Sequence, residues 1–131
     1  MNGTGTTLRT FPATPQALPE VREFLRDRAR EARLSEEATD DLILAVSEAC
    51  ANAVLHSGSR AFDVEWMDGS RAVEVLVRDR GAFKRRVRVA SVEGPGGFGI
   101  PLMTALTDQV EIREGTADDP GTRVRLIKRR S

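Results

Sequence analysis

Cysteine is nearly absent from this chain of 131 residues, since Cys50 is the only one and no internal disulfide can form. A lone free thiol is typical of a reducing compartment. We see no apolar run long enough to span a membrane. The first residues also lack the charged start and apolar middle of a signal peptide. These absences make the cytoplasm the expected location.

Aromatic residues and excess charge are also scarce. Tyrosine is missing, Trp66 is the only tryptophan, and 20 Lys+Arg residues balance 20 Asp+Glu residues. Proteins that bind single-stranded nucleic acid stack bases on aromatic side chains, and general nucleic-acid binders carry a basic excess. The composition therefore argues against nucleic acid as a direct partner. A hydrophobic content of 40% is sufficient for one compact domain, which we assign to residues 1–131.

Hydrophobic periodicity predicts the order of the elements. Residues 1–6 are Gly/Thr-rich and are expected to fray. Asp68-Gly69 predicts a tight hairpin turn, Ser35 an N-cap and Gly58 a helix stop. Strands are predicted in residues 7–13, 61–67, 71–79, 108–114 and 122–129, and helices in residues 15–34, from Ser35 to about His56, and from about residue 98.

Paired strands joined by tight turns imply a largely antiparallel sheet, and so few helices cover only one of its faces. The sequence therefore predicts an α+β fold, a two-layer α/β sandwich with the helices on one face of the sheet.

Polar side chains recur at a spacing of four residues in the second helix: Glu48, Asn52 and His56. Each step of four advances ~400° around the helix, so these residues form a slanted stripe on one side. A carboxylate can order or deprotonate a nucleophile, and an amide oxygen is a hard ligand suited to Mg²⁺. The ordinary alternative is a polar stripe that faces solvent. We assign His56 a structural or supporting role.

Three further motifs follow along the chain. Asp79 and Gly81 form a D-x-G at a strand end, where a carboxylate accepts a hydrogen bond from an exocyclic amine and the glycine lets a ring approach. Residues 94–99 are Gly-rich and lead into a helix start, where free N–H groups and the helix dipole favour phosphate. Gly121-Thr122 opens the last strand. Each of these motifs alone is also typical of an ordinary turn or hinge.

The four motifs in this order resemble the GHKL, or Bergerat-fold, ATP-binding superfamily. Within it, the segments "AVSEACANAVLHS", "DRG", "GGFGIPLMTALTDQVEI" and "GTRVRL" are similar to the bacterial anti-sigma factor serine/threonine kinases. The resemblance covers roughly residues 8–128. It implies an α/β sandwich with helices on one face of a mixed, mainly antiparallel sheet, which agrees with the pattern of elements.

The resemblance also implies roles for individual residues. Glu48 takes the position of the general base that activates the attacking hydroxyl, and Asn52 that of the Mg²⁺ ligand. Asp79 matches the acid that binds the adenine amine, with Gly81 beside it. Gly97 and Gly99 match the glycines that hold phosphate, Thr122 matches the threonine near adenine, and residues 82–96 match the mobile ATP lid, in which Lys84, Arg85, Arg86 and Arg88 are candidates for phosphate contact.

By resemblance, the expected function is ATP- and Mg²⁺-dependent phosphorylation of a serine or threonine in an anti-anti-sigma (STAS-type) protein, together with sequestration of a sigma factor. Homodimers are common in the family. One departure is Phe83, which stands where the D-x-G-x-G box has its second glycine. A non-catalytic module with this fold, which binds such partners with weak or no nucleotide binding, is the alternative.

Overall fold

The computed structural model describes residues 5–56, 58–79, 99–115 and 121–130. A short 3-10 turn, Pro15–Ala17, precedes the first helix. The strands are β1 (Gly5–Pro12), β2 (Ala61–Asp68), β3 (Ala72–Asp79), β4 (Gln109–Glu114) and β5 (Thr122–Arg129), and the helices are α1 (Leu18–Glu31), α2 (Glu36–His56) and α3 (Gly99–Leu106). This is the order that the sequence predicts.

The strands form one sheet in the order β1-β2-β3-β5-β4. Every strand pair in the described ranges is antiparallel, and the helices contact the sheet through β2, β3, β4 and β5. The predicted α+β sandwich is therefore confirmed. The expectation that residues 1–6 fray is wrong for Gly5 and Thr6, because Gly5 pairs with Asp68 and Thr6 with Met67 of β2; residues 1–4 lie outside the described part of the chain.

The core lies between the sheet and the helices. Alternate residues of the central strands are buried because successive side chains of a strand point to opposite faces. They pack against the apolar sides of α1 and α2 and supply most of the driving force for folding. Representative buried residues are Phe62, Val64, Trp66, Val73, Val75, Val77 and Leu126 from the sheet and Val21, Leu25, Leu42, Val46, Ala49 and Cys50 from the helices.

The start and the end of α2 follow the predicted signals. The Ser35 hydroxyl oxygen accepts a hydrogen bond of 3.1 Å from the backbone N–H of Ala38, which satisfies one of the free donors of the first turn. Glu36 and Glu37 lie in that turn, where acids meet the positive end of the helix dipole. Gly58 has a φ of 74°, which L side chains rarely adopt. The chain therefore leaves α2 where the sequence predicts.

The end of α1 lacks the glycine that usually follows a helix. The backbone N–H of Leu34 donates to the carbonyl of Ala29 and that of Arg33 donates to Arg30, a Schellman arrangement that places one residue in the left-handed region. That residue is Arg33, with a φ of 61°. Glycine is the usual residue here because it has no Cβ to clash.

Replacing Arg33 with glycine is expected to raise the free energy of unfolding by about 0.5–1 kcal/mol, because the left-handed conformation costs most residues about 1–2 kcal/mol and glycine only its greater unfolded-state entropy. Urea denaturation with an unchanged slope measures this gain. Arg30→Gly is the matched control inside the last turn of α1, and it is expected to lower the free energy of unfolding by about 1 kcal/mol. A loss of the same size in both variants would contradict the strain at Arg33.

Candidate functional site

One edge of the sheet collects the ends of several elements. The last residue of α2, His56, is separated from Ala61 at the start of β2 by one short connection. Phe62 of β2 pairs in turn with Asp79 at the end of β3. The C-terminal end of α2 and the end of β3 therefore lie at the same edge, which we call the site edge.

Asp79 and Thr122 meet at the site edge. The backbone N–H of Thr122 donates to Oδ1 of Asp79 over 3.3 Å, and Asp79 is only 7% exposed. Asp79 is in phase with the buried Val75 and Val77, so its side chain lies on the helix side of the sheet. Gly121, with a φ of 121°, precedes the strand start. Two residues that are far apart in the sequence thus form one partly buried polar corner.

Glu48 and Asn52 lie on α2 at the boundary between core and solvent, since both are half-buried. Ala49 and Ala53 beside them are buried, so the helix side next to Glu48 and Asn52 faces the core; the third residue of the predicted stripe, His56, has a side chain outside the described part of the structure. Cys50 lies on the core side, and burial raises the pKa of its thiol well above the usual range. It is a neutral core residue.

The direction of α3 follows from a contact at the opposite edge of the sheet. Lys128 Nζ donates to the carbonyl of Leu106, the last residue of α3, over 2.9 Å. Lys128 lies about 20 Å along β5 from Thr122 at the strand rise per residue. The C-terminal end of α3 is therefore remote from the site edge. The helix α3 packs on α2, and its first residue is Gly99.

This arrangement suits a nucleotide with a magnesium ion. A buried carboxylate at a strand end recognises an exocyclic amine, and a helix N-terminus favours phosphate. The described residues include no group of three or more His, Cys, Asp or Glu side chains that could hold a metal. Mg²⁺ bound to nucleotides commonly takes only one or two protein ligands beside phosphate oxygens, so the Asn52 amide oxygen fits this mode.

Several predicted residues stay predictions. Gly81, Gly97 and the lid at 82–96, including Phe83, lie outside the described residues, as does the side chain of His56. The structure also shows a contact that no sequence motif indicated, between Lys128 and Asp41, because it joins residues of distant elements. Within the described ranges, none of the helices has the length and apolar character needed to cross a membrane.

Comparison with known proteins shows the family of this chain. Residues 11–128 match the model of the histidine kinase-like ATPase domain. The chain is 31% identical to a protein from Oceanobacillus iheyensis named serine-protein kinase RsbW, over 77% of this chain and 74% of that protein. It is also 31% identical to a protein of the same name from Bacillus pumilus, over 79% of this chain and 75% of that protein.

A solved structure shares the fold. It contains the RsbU and RsbW domains of Rv1364c from Mycobacterium tuberculosis and superposes with a TM-score of 0.73 at 27% sequence identity. The match covers 96% of this chain and 32% of that longer chain. This chain therefore corresponds to about a third of that protein.

Proposed function

This chain belongs to the histidine kinase-like ATPase (GHKL) family, and we propose that it is an anti-sigma regulatory factor with ATP- and Mg²⁺-dependent serine/threonine-protein kinase activity. Its phosphoacceptor is an anti-anti-sigma, STAS-type protein, and its second partner is a sigma factor that it sequesters. The proposal is supported by two relatives named serine-protein kinase RsbW at 31% identity.

The single observation that carries the proposal is the corner formed by Asp79 and Thr122 beside the C-terminal half of α2. In the proposed complex, Asp79 accepts a hydrogen bond from the adenine amine with Thr122 and Gly81 beside it. Gly97 and Gly99 donate backbone N–H groups to phosphate at the start of α3. Asn52 holds Mg²⁺, which neutralises phosphate charge.

Glu48 is the proposed general base. It lies one helical turn before Asn52, so its carboxylate can accept the proton of the serine or threonine hydroxyl that attacks the γ-phosphorus. Phosphate transfer of this kind depends on positioning and charge neutralisation more than on covalent help from the protein. Glu48 is half-buried, so part of the residue is exposed to solvent.

A second candidate function is a non-catalytic partner-binding module with the same fold. The observation that favours it is Phe83 in place of a glycine in the adenine box, since phenylalanine has less backbone freedom than glycine and would stiffen and crowd the lid hinge unless its ring packs on the ligand. Under this alternative the chain still binds a sigma factor or a STAS-type protein, and nucleotide binds weakly or not at all.

Calorimetric titration of the purified protein with Mg·ATP separates the two functions. The kinase is expected to bind Mg·ATP with a micromolar dissociation constant, about −8 kcal/mol. If no binding is detected at millimolar nucleotide, the kinase proposal is overturned and the partner-binding module remains.

Asn52→Ala is expected to weaken ATP binding by about 10–100-fold in the presence of Mg²⁺ and to change it little in EDTA, because the lost amide acts through the ion. Titrations of parent and variant under both conditions measure this difference. Equal affinity of the parent protein with and without Mg²⁺ would contradict the role of Asn52 as a metal ligand.

A further inference from the structure

We propose that Lys128 is a positioning residue for the phosphate site: from the opposite edge of the sheet, it fixes α3 and α2 relative to each other. The inference rests on the proposed function, because it concerns the placement of Gly99 and Asn52 around phosphate and Mg²⁺. It concerns a residue that touches none of the reacting groups.

Lys128 contacts both helices with one ammonium group. Its Nζ donates to the backbone carbonyl of Leu106 over 2.9 Å and lies 3.2 Å from Oδ2 of Asp41 on α2. An ammonium has three donors, so both contacts form together. The two helices are therefore held at a common point on β5.

The local physical chemistry makes this contact persistent. The carbonyl of Leu106 is one of the last in α3 and has no partner within the helix, and a cation there complements the negative end of the helix dipole. The side chains of Lys128 and Asp41 are 18% and 33% exposed, so water and salt screen the pair less than a surface pair.

The chain just after α3 is fastened to the same strand. The backbone N–H of Asp108 donates to the carbonyl of Ile127 over 2.8 Å, and its Oδ2 accepts from the N–H of Arg129 over 2.6 Å. These bonds fix the exit of α3 in line with β5, and Lys128 between them adds the tie to α2. The C-terminal end of α3 is thus the anchored end.

The position of Leu106 at the anchored end of α3 affects the position of Gly99 at its other end. The helix α3 has 8 residues and is about 12 Å long, and a helix of this length moves as a rigid rod. A shift at Leu106 is therefore transmitted to Gly99, while Asn52 stays with α2. Because a misplacement of about 1 Å can cost ~10²-fold in a positioned reaction, the Lys128 contact matters for the site although it is remote.

Arg130 is the matched control. It lies two residues further along the chain and, like Lys128, joins two elements through its cationic group, which donates to the backbone carbonyls of Gly69 over 2.8 Å and Ala32 over 2.6 Å. Those carbonyls belong to the β2–β3 hairpin and to the end of α1, so these two hydrogen bonds reach neither α2 nor α3. Its loss removes charged hydrogen bonds between elements away from the proposed phosphate site.

The test compares Lys128→Met, Lys128→Arg and Arg130→Met with the parent. Calorimetry measures the affinity for Mg·ATP and for AMP, which lacks the β- and γ-phosphates, and hydrogen exchange measures the protection of amides in α3. Thermal unfolding of each variant reports its overall stability.

Lys128→Met is expected to weaken Mg·ATP binding by about tenfold, as loss of a supporting residue around a metal site typically does, with AMP affinity nearly unchanged and faster exchange in α3. Lys128→Arg is expected to restore most of the affinity, and Arg130→Met to lower stability without changing the ratio of the two affinities.

The inference would be overturned if Lys128→Met and Arg130→Met changed the ratio of Mg·ATP affinity to AMP affinity equally. It would also be overturned if amide exchange in α3 were the same in Lys128→Met as in the parent. If the parent binds no nucleotide, the proposed function fails by itself. A comparison of amide exchange in α3 between Lys128→Met and Arg130→Met then still decides whether Lys128 anchors this helix.

Discussion

Glu48→Gln is expected to reduce phosphate transfer from ATP to a STAS-type protein by about 10²–10⁴-fold, the usual contribution of a general base, while Mg·ATP binding is retained. Glutamine keeps the size of the side chain and removes its ability to accept the proton of the attacking hydroxyl. Because Glu48 is half-buried at the edge of the core, the substitution introduces neither a cavity nor a new buried charge. Its effect is therefore on the chemical step.

Transfer of radiolabelled γ-phosphate to a panel of STAS-type proteins measures the rate, and calorimetry measures binding on the same preparations. Glu37→Gln is the matched control, since Glu37 is an exposed glutamate in the first turn of the same helix. It is expected to transfer at the parent rate. If Glu48→Gln also transfers at the parent rate, Glu48 is not the base, and if it loses Mg·ATP binding, its role is in binding.

Asp79→Ala is expected to weaken Mg·ATP binding by about 10–100-fold, since a hydrogen bond to a charged group contributes about 1.5–3 kcal/mol. It should also reduce the preference for ATP over GTP, because guanine presents a carbonyl where adenine presents its amine. In the parent, the buried carboxylate is held in place by the N–H of Thr122, so the acceptor is oriented before the nucleotide arrives.

Asp63→Ala separates recognition from stability in this experiment. Asp63 is also buried, at 4% exposure, and accepts a hydrogen bond of 2.6 Å from the Thr10 hydroxyl. It lies on the neighbouring strand, out of phase with Phe62 and Val64 that face the helices, so it is on the opposite face of the sheet. The Asp63→Ala variant is expected to have a lower free energy of unfolding than the parent and the same affinity for ATP. Similar affinity losses in both variants would assign the effect of Asp79→Ala to the fold.

The sequence by itself determined the elements and their order. Helix and strand periods, the Ser35 cap, and the turn at Asp68-Gly69 depend on residues close together in the chain, so local physics is sufficient to predict them. The alternation of Val73, Val75 and Val77 likewise predicted which face is buried. Glu48 and Asn52 were predicted as one stripe for the same reason, because helical geometry fixes residues four apart.

The strand β1 shows where local signals stop. Gly5 has weak strand propensity, and pairing of Gly5 and Thr6 with Asp68 and Met67 of β2 makes them part of the sheet. Arg33 is similar, since its left-handed conformation is imposed by the path of the chain from α1 into the buried Leu34, although glycine is the residue that sequence rules expect.

Only the tertiary structure brought the site together. The contact between Asp79 and Thr122 joins residues 43 apart in the sequence, and the one between Lys128 and Asp41 joins residues 87 apart. Neither distance follows from the spacing of motifs, because it depends on which strands pair and in which register. The order β3-β5-β4 places Thr122 beside Asp79 and Lys128 under α3, and that pairing results from burial of the whole apolar face of the sheet.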